Sequence, residues 1–226
     1  MSHYYNTIDD EYLRERRLTL GEPFTQTEDW SASTAERYQL GTSKSGKCIY
    51  WMIDEQGSVR DGHIGDAWAS TMLKQRAPKL MEAWHPQHCL FGQHLLSEGA
   101  NDRPVCIVEK ERSAVILSEL FPDFLWMASV YPANLHLRAF EPLRGREVML
   151  YPSTDLTMSN YVAWLELAVQ VRETYHLHIT VNDILEQYAT PEQKAAEIDL
   201  VDFLYPANHR LTTCSPITND PQTLSL

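Results

Sequence analysis

Short apolar runs alternate with helical patterns along the second half of the chain. Four runs have the length and the apolar content of buried strands: Val105–Val108, Phe124–Ala128, Glu147–Tyr151 and Leu177–Val181. Helical patterns fall between them: Arg112–Leu120, Leu135–Leu143 and Tyr161–Tyr175. In the last of these, Val162, Leu165 and Val169 share one face. Strands that alternate with helices predict an α/β fold with a mainly parallel sheet flanked by helices.

The first half of the chain has a different pattern. Lys47–Asp54 is rich in aromatic and β-branched residues, Glu55–Gly57 is typical of a turn, and Ser58–Ile64 returns, which predicts a β-hairpin. The polar loop 97–104 then separates this region from the alternating pattern. We therefore expect three parts: a small N-terminal β-containing subdomain over 1–100, an α/β domain over 101–205 and a C-terminal tail over 206–226.

Charge and composition narrow the function classes. The 226 residues carry a formal net charge of −12 and no basic run, which disfavours tight nucleic-acid binding by the isolated chain. The four cysteines form no C-x-x-C pair and are expected to be free thiols. The sequence shows neither a run of about 18 apolar residues nor a signal-peptide pattern, so we expect a cytoplasmic protein without a membrane partner.

Two carboxylates follow predicted strands. Glu109 comes directly after Val105–Val108, and Asp155 lies four residues beyond Tyr151. The carboxyl ends of parallel strands meet at one edge, where ligands bind, so both side chains are expected there. Two carboxylates suit Mg²⁺, which could stabilise charge in phosphoryl transfer, and a glutamate could instead move a proton. The alternative is that both are ordinary solvated acids at strand ends.

A second acidic pair and several histidines are also candidates. Asp199 and Asp202 are spaced to share a helix face and could extend a metal site if the C-terminal segment folds back over the sheet. Alternatively, they are acidic residues that favour a helix start. The pairs His85/His88 and His176/His178 have no third ligand in view and are interpreted as ordinary histidines. Phosphate-binding loops, dinucleotide fingerprints and nucleophile elbows are absent from the sequence.

The stretch Val105-Cys-Ile-Val-Glu-Lys-Glu-Arg-Ser-Ala-Val115 resembles the first motif of Toprim domains, the fold of primases, topoisomerases and related nucleases. The resemblance places Glu109 at the family's catalytic glutamate, with Glu111 and Arg112 on the acidic-basic pair that often follows it. Further similar segments bring the resemblance to roughly residues 38–205: Tyr38–Thr42, Ile53-Asp54, Cys89–Leu96, Leu125–Ala128, Pro142–Pro152 and Ile198–Leu204. The chain also resembles uncharacterised Toprim-like proteins common in Bacteroidetes and their mobile elements.

The sequence departs from this family at two motifs. The D-x-D position is Ser153-Thr154-Asp155, so the first aspartate is missing. The glycine-rich turn after the second strand is Ser129-Val-Tyr-Pro132. The zinc ribbon that precedes many primase Toprim domains is also absent. Losing a metal carboxylate weakens Mg²⁺ binding, so the resemblance implies a degenerate metal site rather than an intact one.

The resemblance implies a primase-like protein of DNA replication or processing, with DNA or a replication protein as partner. Glu109 would be the catalytic residue and Glu109 with Asp155 the Mg²⁺ ligands; the accessory residues would be Ser153, Asp199, Asp202 and Arg112. Two alternatives remain: a non-catalytic Toprim-derived module that acts through protein contacts, and a metal-dependent nuclease. The sequence leaves open whether the chain is an enzyme and what its oligomeric state is.

Overall fold

The computed structural model of the chain describes residues 30–43, 46–76, 79, 88–98 and 103–204. Its N-terminal part contains helix α1 and a four-stranded antiparallel sheet, followed by helix α2. The bounds are α1 Ala32–Arg37, β1 Gly41–Thr42, β2 Cys48–Ile53, β3 Val59–Ile64, β4 Ala67–Trp68 and α2 Ala69–Arg76. The predicted hairpin is confirmed as β2 and β3, which pair antiparallel.

The second sheet is entirely parallel. Its strands are β5 Val105–Val108, β6 Leu125–Ala128, β7 Glu147–Leu150 and β8 His178–Val181. Their spatial order is β6-β5-β7-β8, so β5 is a central strand with a neighbour on each side. Both neighbours continue in the same direction, which brings the carboxyl ends of β5, β6 and β7 to one edge. The predicted α/β class with a parallel sheet and a small β-containing N-terminal part is confirmed.

Helices connect these strands and cover the sheet. They are α3 Glu111–Leu120, α4 Ser159–Tyr175, α5 Ile184–Tyr188, α6 Pro191–Ala195 and α7 Leu200–Leu204. Three 3₁₀ helices complete the described part: Gln93–Ser97, Pro132–Asn134 and Leu137–Leu143. Helix α6 begins with a reciprocal capping box between Thr190 and Gln193, in which each side chain binds the other's backbone amide.

The main hydrophobic core joins the two halves of the chain. The strands of the parallel sheet contribute most of it, and Tyr38, Leu90 and Phe91 enter it from the N-terminal half. The Tyr38 hydroxyl donates to the Trp126 carbonyl at 2.8 Å, and Phe91 pairs with Ala128 at the free edge of β6. Segments on either side of the antiparallel sheet therefore pack against the parallel sheet, and Tyr50 of β2 packs against the same core.

A smaller core lies under the antiparallel sheet. Ile49, Trp51, Ile53, Val59 and Ala69 form it, and all five are buried. Gly62 lies directly across from Trp51 in the neighbouring strand. A Cβ atom at Gly62 would lie 2.6 Å from Trp51 Cε3, so a side chain there would displace the indole ring.

The helix predicted over Tyr161–Tyr175 is confirmed as part of α4. The face that it buries is not the aliphatic face seen in the sequence pattern. Its buried residues are Trp164, Ala168 and Val171, whereas Val162, Leu165 and Val169 are exposed. Cys48, Cys89 and Cys106 are free, as predicted for the cysteines; Cys214 and the tail 206–226 lie outside the described residues. Of the described helices, none has the length and apolarity needed to span a membrane.

Candidate functional site

Glu109 lies at the carboxyl edge of the parallel sheet. It is the residue that follows central strand β5, and its side chain is partly buried. Its backbone carbonyl accepts from the Val130 amide at 2.8 Å, which ties it to the loop that follows β6. This is the position that the sequence predicted for a functional carboxylate, because ligands of parallel sheets bind at this edge.

The Glu109 carboxylate is held by donors from the segment after β7. The Ser153 hydroxyl donates to Oε2 at 2.8 Å, and the Ser153 amide donates to Oε1 at 3.4 Å. The side-chain amide of Asn160 also donates to Oε1, and the same Nδ2 donates to the Ser153 carbonyl at 2.9 Å. Ser153 therefore donates to Glu109 through both its hydroxyl and its backbone amide.

Asp155 caps helix α4 from outside the helix. Its carboxylate accepts from the backbone amides of Thr157, Ser159 and Asn160 at 2.7, 3.2 and 2.8 Å. The hydroxyls of Thr157 and Ser159 donate to it as well. Met158, which occupies the N-cap position, has φ of +58° and makes no side-chain cap, so Asp155 satisfies the first amides of the helix instead.

These bonds also set the protonation of Asp155. Partial desolvation raises the pKa of its carboxyl, but the donated hydrogen bonds, led by the Asn160 amide and the Thr157 hydroxyl, outweigh that effect. The net result is a pKa well below the ordinary value of an aspartate. Asp155 is therefore ionised at neutral pH and engaged by its own loop.

Asn160 connects the two carboxylates. Its side chain binds Glu109, while its backbone amide binds Asp155. Mg²⁺ requires oxygen acceptors that face the ion. Here the oxygens of Glu109 and Asp155 face hydroxyl and amide donors, and no group of three His, Cys, Asp or Glu side chains suited to a metal ion occurs in the described part of the chain. In this arrangement the side chains do not fit Mg²⁺, and the predicted magnesium site stays a prediction.

The Ser153-Thr154-Asp155 segment joins three different elements. Ser153 binds Glu109 after β5, and Asp155 binds the start of α4. The Thr154 hydroxyl donates to Glu186 of α5 at 2.8 Å, and Lys194 of α6 forms an ion pair with the same carboxylate at 2.8 Å. Each side chain of Ser153-Thr154-Asp155 therefore has a structural partner.

The C-terminal segment folds back over the sheet edge. The Thr154 amide donates to the Ile198 carbonyl, and buried Asp199 accepts from the Ser113 hydroxyl of α3 at 2.7 Å. Asp199 also accepts from the Asp202 amide at 3.0 Å and caps α7. The fold-back on which the accessory role of Asp199 and Asp202 depended is therefore present.

Lys110, the residue after Glu109, forms ion pairs with both members of this second acidic pair. Lys110 lies 3.2 Å from Asp199 and 3.4 Å from Asp202. Desolvation lowers the pKa of Lys110, but attraction to the two aspartates outweighs it and the net pKa is raised. The pair is thus bound to an ammonium group and to a helix start. Arg112, the remaining accessory candidate, is exposed on the first turn of α3.

The loop after β6 has a strained backbone. Val130 has φ of +68°, a region that β-branched residues rarely adopt. The chain therefore has a left-handed turn here without glycine, the residue that adopts this conformation at no steric cost.

Sequence reasoning missed a polar and aromatic cluster between the two sheets. Asp61 of β3 is fully buried and contacts His88, while His63 of the same strand lies 2.6 Å from Glu111 of α3. The ring of Trp68 stacks on His88 and packs against Tyr131. Residues 61–68 and 88 are far in sequence from 111–134, so no local spacing signals the cluster.

Comparison with known families finds a match to more than half of the chain. Residues 19–154, more than half of the chain, match the family described as "Domain of unknown function (DUF6371)". The chain belongs to the DUF6371 family. The match includes the antiparallel sheet, β5, β6 and β7, and ends at Thr154, one residue before Asp155.

Other comparisons add little beyond this family. Among curated proteins there is no match. Among solved structures, the chain is similar to the crystal structure of the primase fragment of the bacteriophage T7 primase-helicase protein, with a TM-score of 0.43 and 14% identity. The similarity covers 68% of this DUF6371 chain and 61% of the phage fragment, and a likeness of this size does not establish a shared activity.

Proposed function

We propose that this DUF6371 protein is a Toprim-derived, primase-like module of DNA replication or processing that acts through protein contacts rather than by metal-dependent catalysis. The proposal rests on the Glu109 site. Its carboxylate is occupied by the Ser153 hydroxyl and the Asn160 amide, while Asp155 caps α4. In this arrangement the carboxylate that a metal would need holds the segment after β7 in place.

The charge balance favours a protein partner over a phosphate backbone. The formal net charge is −12. Lys110, which flanks Glu109, is already paired with two aspartates. A surface that neutralises phosphates needs free cationic side chains, whose release of counterions drives binding. A replication protein is therefore the favoured partner, and an enzymatic role in primer synthesis or DNA cleavage is the alternative.

The substitution Ser153→Asp distinguishes the non-catalytic proposal from the enzymatic alternative. We expect no Mn²⁺ or Mg²⁺ binding by the unmodified chain in isothermal titration calorimetry. Ser153→Asp places a carboxylate beside Glu109, so it should create binding that Ser153→Asp/Glu109→Gln loses. Ser33→Asp, which adds the same charge at an exposed position of α1, is the matched control and should leave metal binding unchanged.

Activity assays complete the test. Primer synthesis and DNA cleavage with Mn²⁺ should be at background for both the unmodified chain and Glu109→Gln. Metal-dependent turnover that Glu109→Gln abolishes would overturn the non-catalytic proposal and favour the enzymatic one.

A further inference from the structure

The buried carboxylate of Asp61 organises one side of the interface between the two sheets. Asp61 is fully buried and accepts from the Gly62 and Ser70 amides at 2.7 and 3.0 Å. The Ser70 hydroxyl donates to its Oδ2 at 2.6 Å, and His88 Nε2 lies 3.0 Å from the same oxygen. Among the described residues that bind this carboxylate, only His88 can supply a countercharge, and it does so when it is protonated.

The second ring nitrogen of His88 faces another acceptor. His88 Nδ1 lies 3.1 Å from Oδ1 of Asn134, in the 3₁₀ helix after β6. A neutral imidazole has one donor and one acceptor nitrogen, so only the imidazolium can donate to both Asp61 and Asn134. The Nδ2 atom of Asn134 is buried and has no partner among the described residues, so this amide orientation leaves one donor unsatisfied while its oxygen faces the ring.

We propose that His88 is a proton-dependent latch between the antiparallel sheet and the 3₁₀ helix Pro132–Asn134. When protonated, the ring donates to Asp61 on β3 and to Asn134 after β6, and it stacks on Trp68 of β4 at 4.0 Å. In the described part of the chain, these three residues are the hydrogen-bonding and stacking partners of the ring. The latch lies outside the Glu109 site and does not depend on the proposed function.

The direction of the pH effect follows from the ring's surroundings. The hydrogen bond to Asp61 is the largest influence and raises the pKa of His88; burial opposes it, and Asn134 adds to the increase. A histidine whose folded pKa lies above its ordinary value of about 6.5 stabilises the fold fully below that value. Its contribution is lost as the pH rises through the raised folded pKa.

Deprotonation has a specific structural consequence. When His88 is neutral and keeps the Nε2 proton that it donates to Asp61, its Nδ1 atom carries no proton. This Nδ1 atom then faces the Asn134 oxygen. Two acceptors then face each other until the Asn134 amide inverts and presents Nδ2. Asp61 also loses its countercharge. The contact between the antiparallel sheet and the 3₁₀ helix Pro132–Asn134 is therefore weaker at alkaline pH than at acidic pH.

A second histidine provides the internal control. His63 Nδ1 lies 2.6 Å from Glu111 Oε1, and His63 Nε2 lies 3.4 Å from the Tyr131 hydroxyl. This pair also joins β3 to the parallel-sheet side, but a neutral ring protonated on Nδ1 satisfies both of its partners, because Nδ1 donates to the Glu111 carboxylate and the Tyr131 hydroxyl can donate to Nε2. His63→Gln should therefore leave the titration of His88 in place.

Nuclear magnetic resonance of the full chain tests the latch directly. The His88 ring resonances and the Asn134 side-chain amide are followed from about pH 5 to about pH 9, the range in which histidines titrate. We expect a His88 midpoint above 6.5, with the Asn134 amide shifting at the same midpoint in the unmodified chain and in His63→Gln. A midpoint at or below 6.5, or an Asn134 amide that does not follow it, overturns the proposal.

Urea unfolding gives a second readout. The unmodified chain should be more stable than His88→Gln at about pH 6, and the difference should shrink by about pH 9. A difference that is constant across this range would mean that His88 contributes packing alone, and the proposal would fail. If His88→Gln does not fold, the resonance titration of the unmodified chain decides by itself.

Discussion

The side chain of Asn160 donates a hydrogen bond to the carboxylate of Glu109 across the carboxyl edge of the parallel sheet. The two residues are 51 positions apart, on the first turn of α4 and directly after β5. Ser153 completes the arrangement with its own bond to Glu109. Helix α4, the β7 exit and the centre of the sheet are therefore fixed to one another through a single carboxylate.

The first prediction concerns the energy of this arrangement. Ser153→Ala removes a hydrogen bond to a partly buried charged group, and such bonds contribute about 1.5–3 kcal/mol. We expect the free energy of unfolding in urea to fall by about 2 kcal/mol. In a double-mutant cycle with Glu109→Gln, the second Ser153→Ala should cost less, because the charge is already gone. Equal costs in both backgrounds would show that the pair is not coupled.

The second prediction concerns the cap of α4. Asp155→Ala should lower stability by about 1 kcal/mol, because the first amides of the helix lose their acceptor. Asp155→Asn keeps an accepting oxygen without the charge and should retain most of that stability. Comparison of the three proteins by thermal unfolding at neutral pH measures the cap. If Asp155→Asn lost as much stability as Asp155→Ala, the capping role of Asp155 would be contradicted.

The pH dependence of that cap has a defined sign. The pKa of Asp155 is lowered in the folded state, so its stabilising contribution is present above the ordinary value of about 3.9. That contribution is lost as the pH falls through the folded value. The stability advantage of the unmodified chain over Asp155→Asn should therefore shrink between about pH 5 and about pH 2. An advantage that grows on acidification would reverse the sign and refute the assignment.

The third prediction concerns the turn after β6. At most positions glycine is less stable than alanine, but Val130 has φ of +68°, where any Cβ is strained. We expect Val130→Gly to be about 1 kcal/mol more stable than Val130→Ala in urea unfolding, since only glycine relieves the strain. Both variants lose the valine methyl groups, so the comparison isolates the backbone. If Val130→Ala were more stable than Val130→Gly, the turn would have relaxed without a conformational cost.

The sequence predicted the sheet because its signals are local. Each strand of the parallel sheet is a short apolar run that a helical pattern separates from the next run, and the hairpin has its turn between two β-rich runs. Glu109 was predictable for the same reason, since it directly follows one of these runs. The capping box at Thr190 and Gln193 is likewise a pattern of four adjacent residues.

The sequence could not predict the partners of these residues. Asn160 looks like any polar residue in the first turn of a helix, and its role depends on a carboxylate 51 positions away. Asp155 was expected to converge with Glu109, but local donors at Thr157 and Ser159 engage it first. The buried face of α4 was ambiguous, because two apolar sets have helical spacing: the buried set is Trp164, Ala168 and Val171, and the exposed set is Val162, Leu165 and Val169. Side-chain contacts between distant segments leave no spacing signal.

The most direct measurement is the anomalous scattering of a crystal of the full chain soaked in Mn²⁺. The account predicts no manganese peak beside Glu109, with the Ser153 hydroxyl and the Asn160 side-chain amide still bound to its carboxylate. A manganese ion coordinated by Glu109 together with Asp155, with Asn160 displaced, would contradict it.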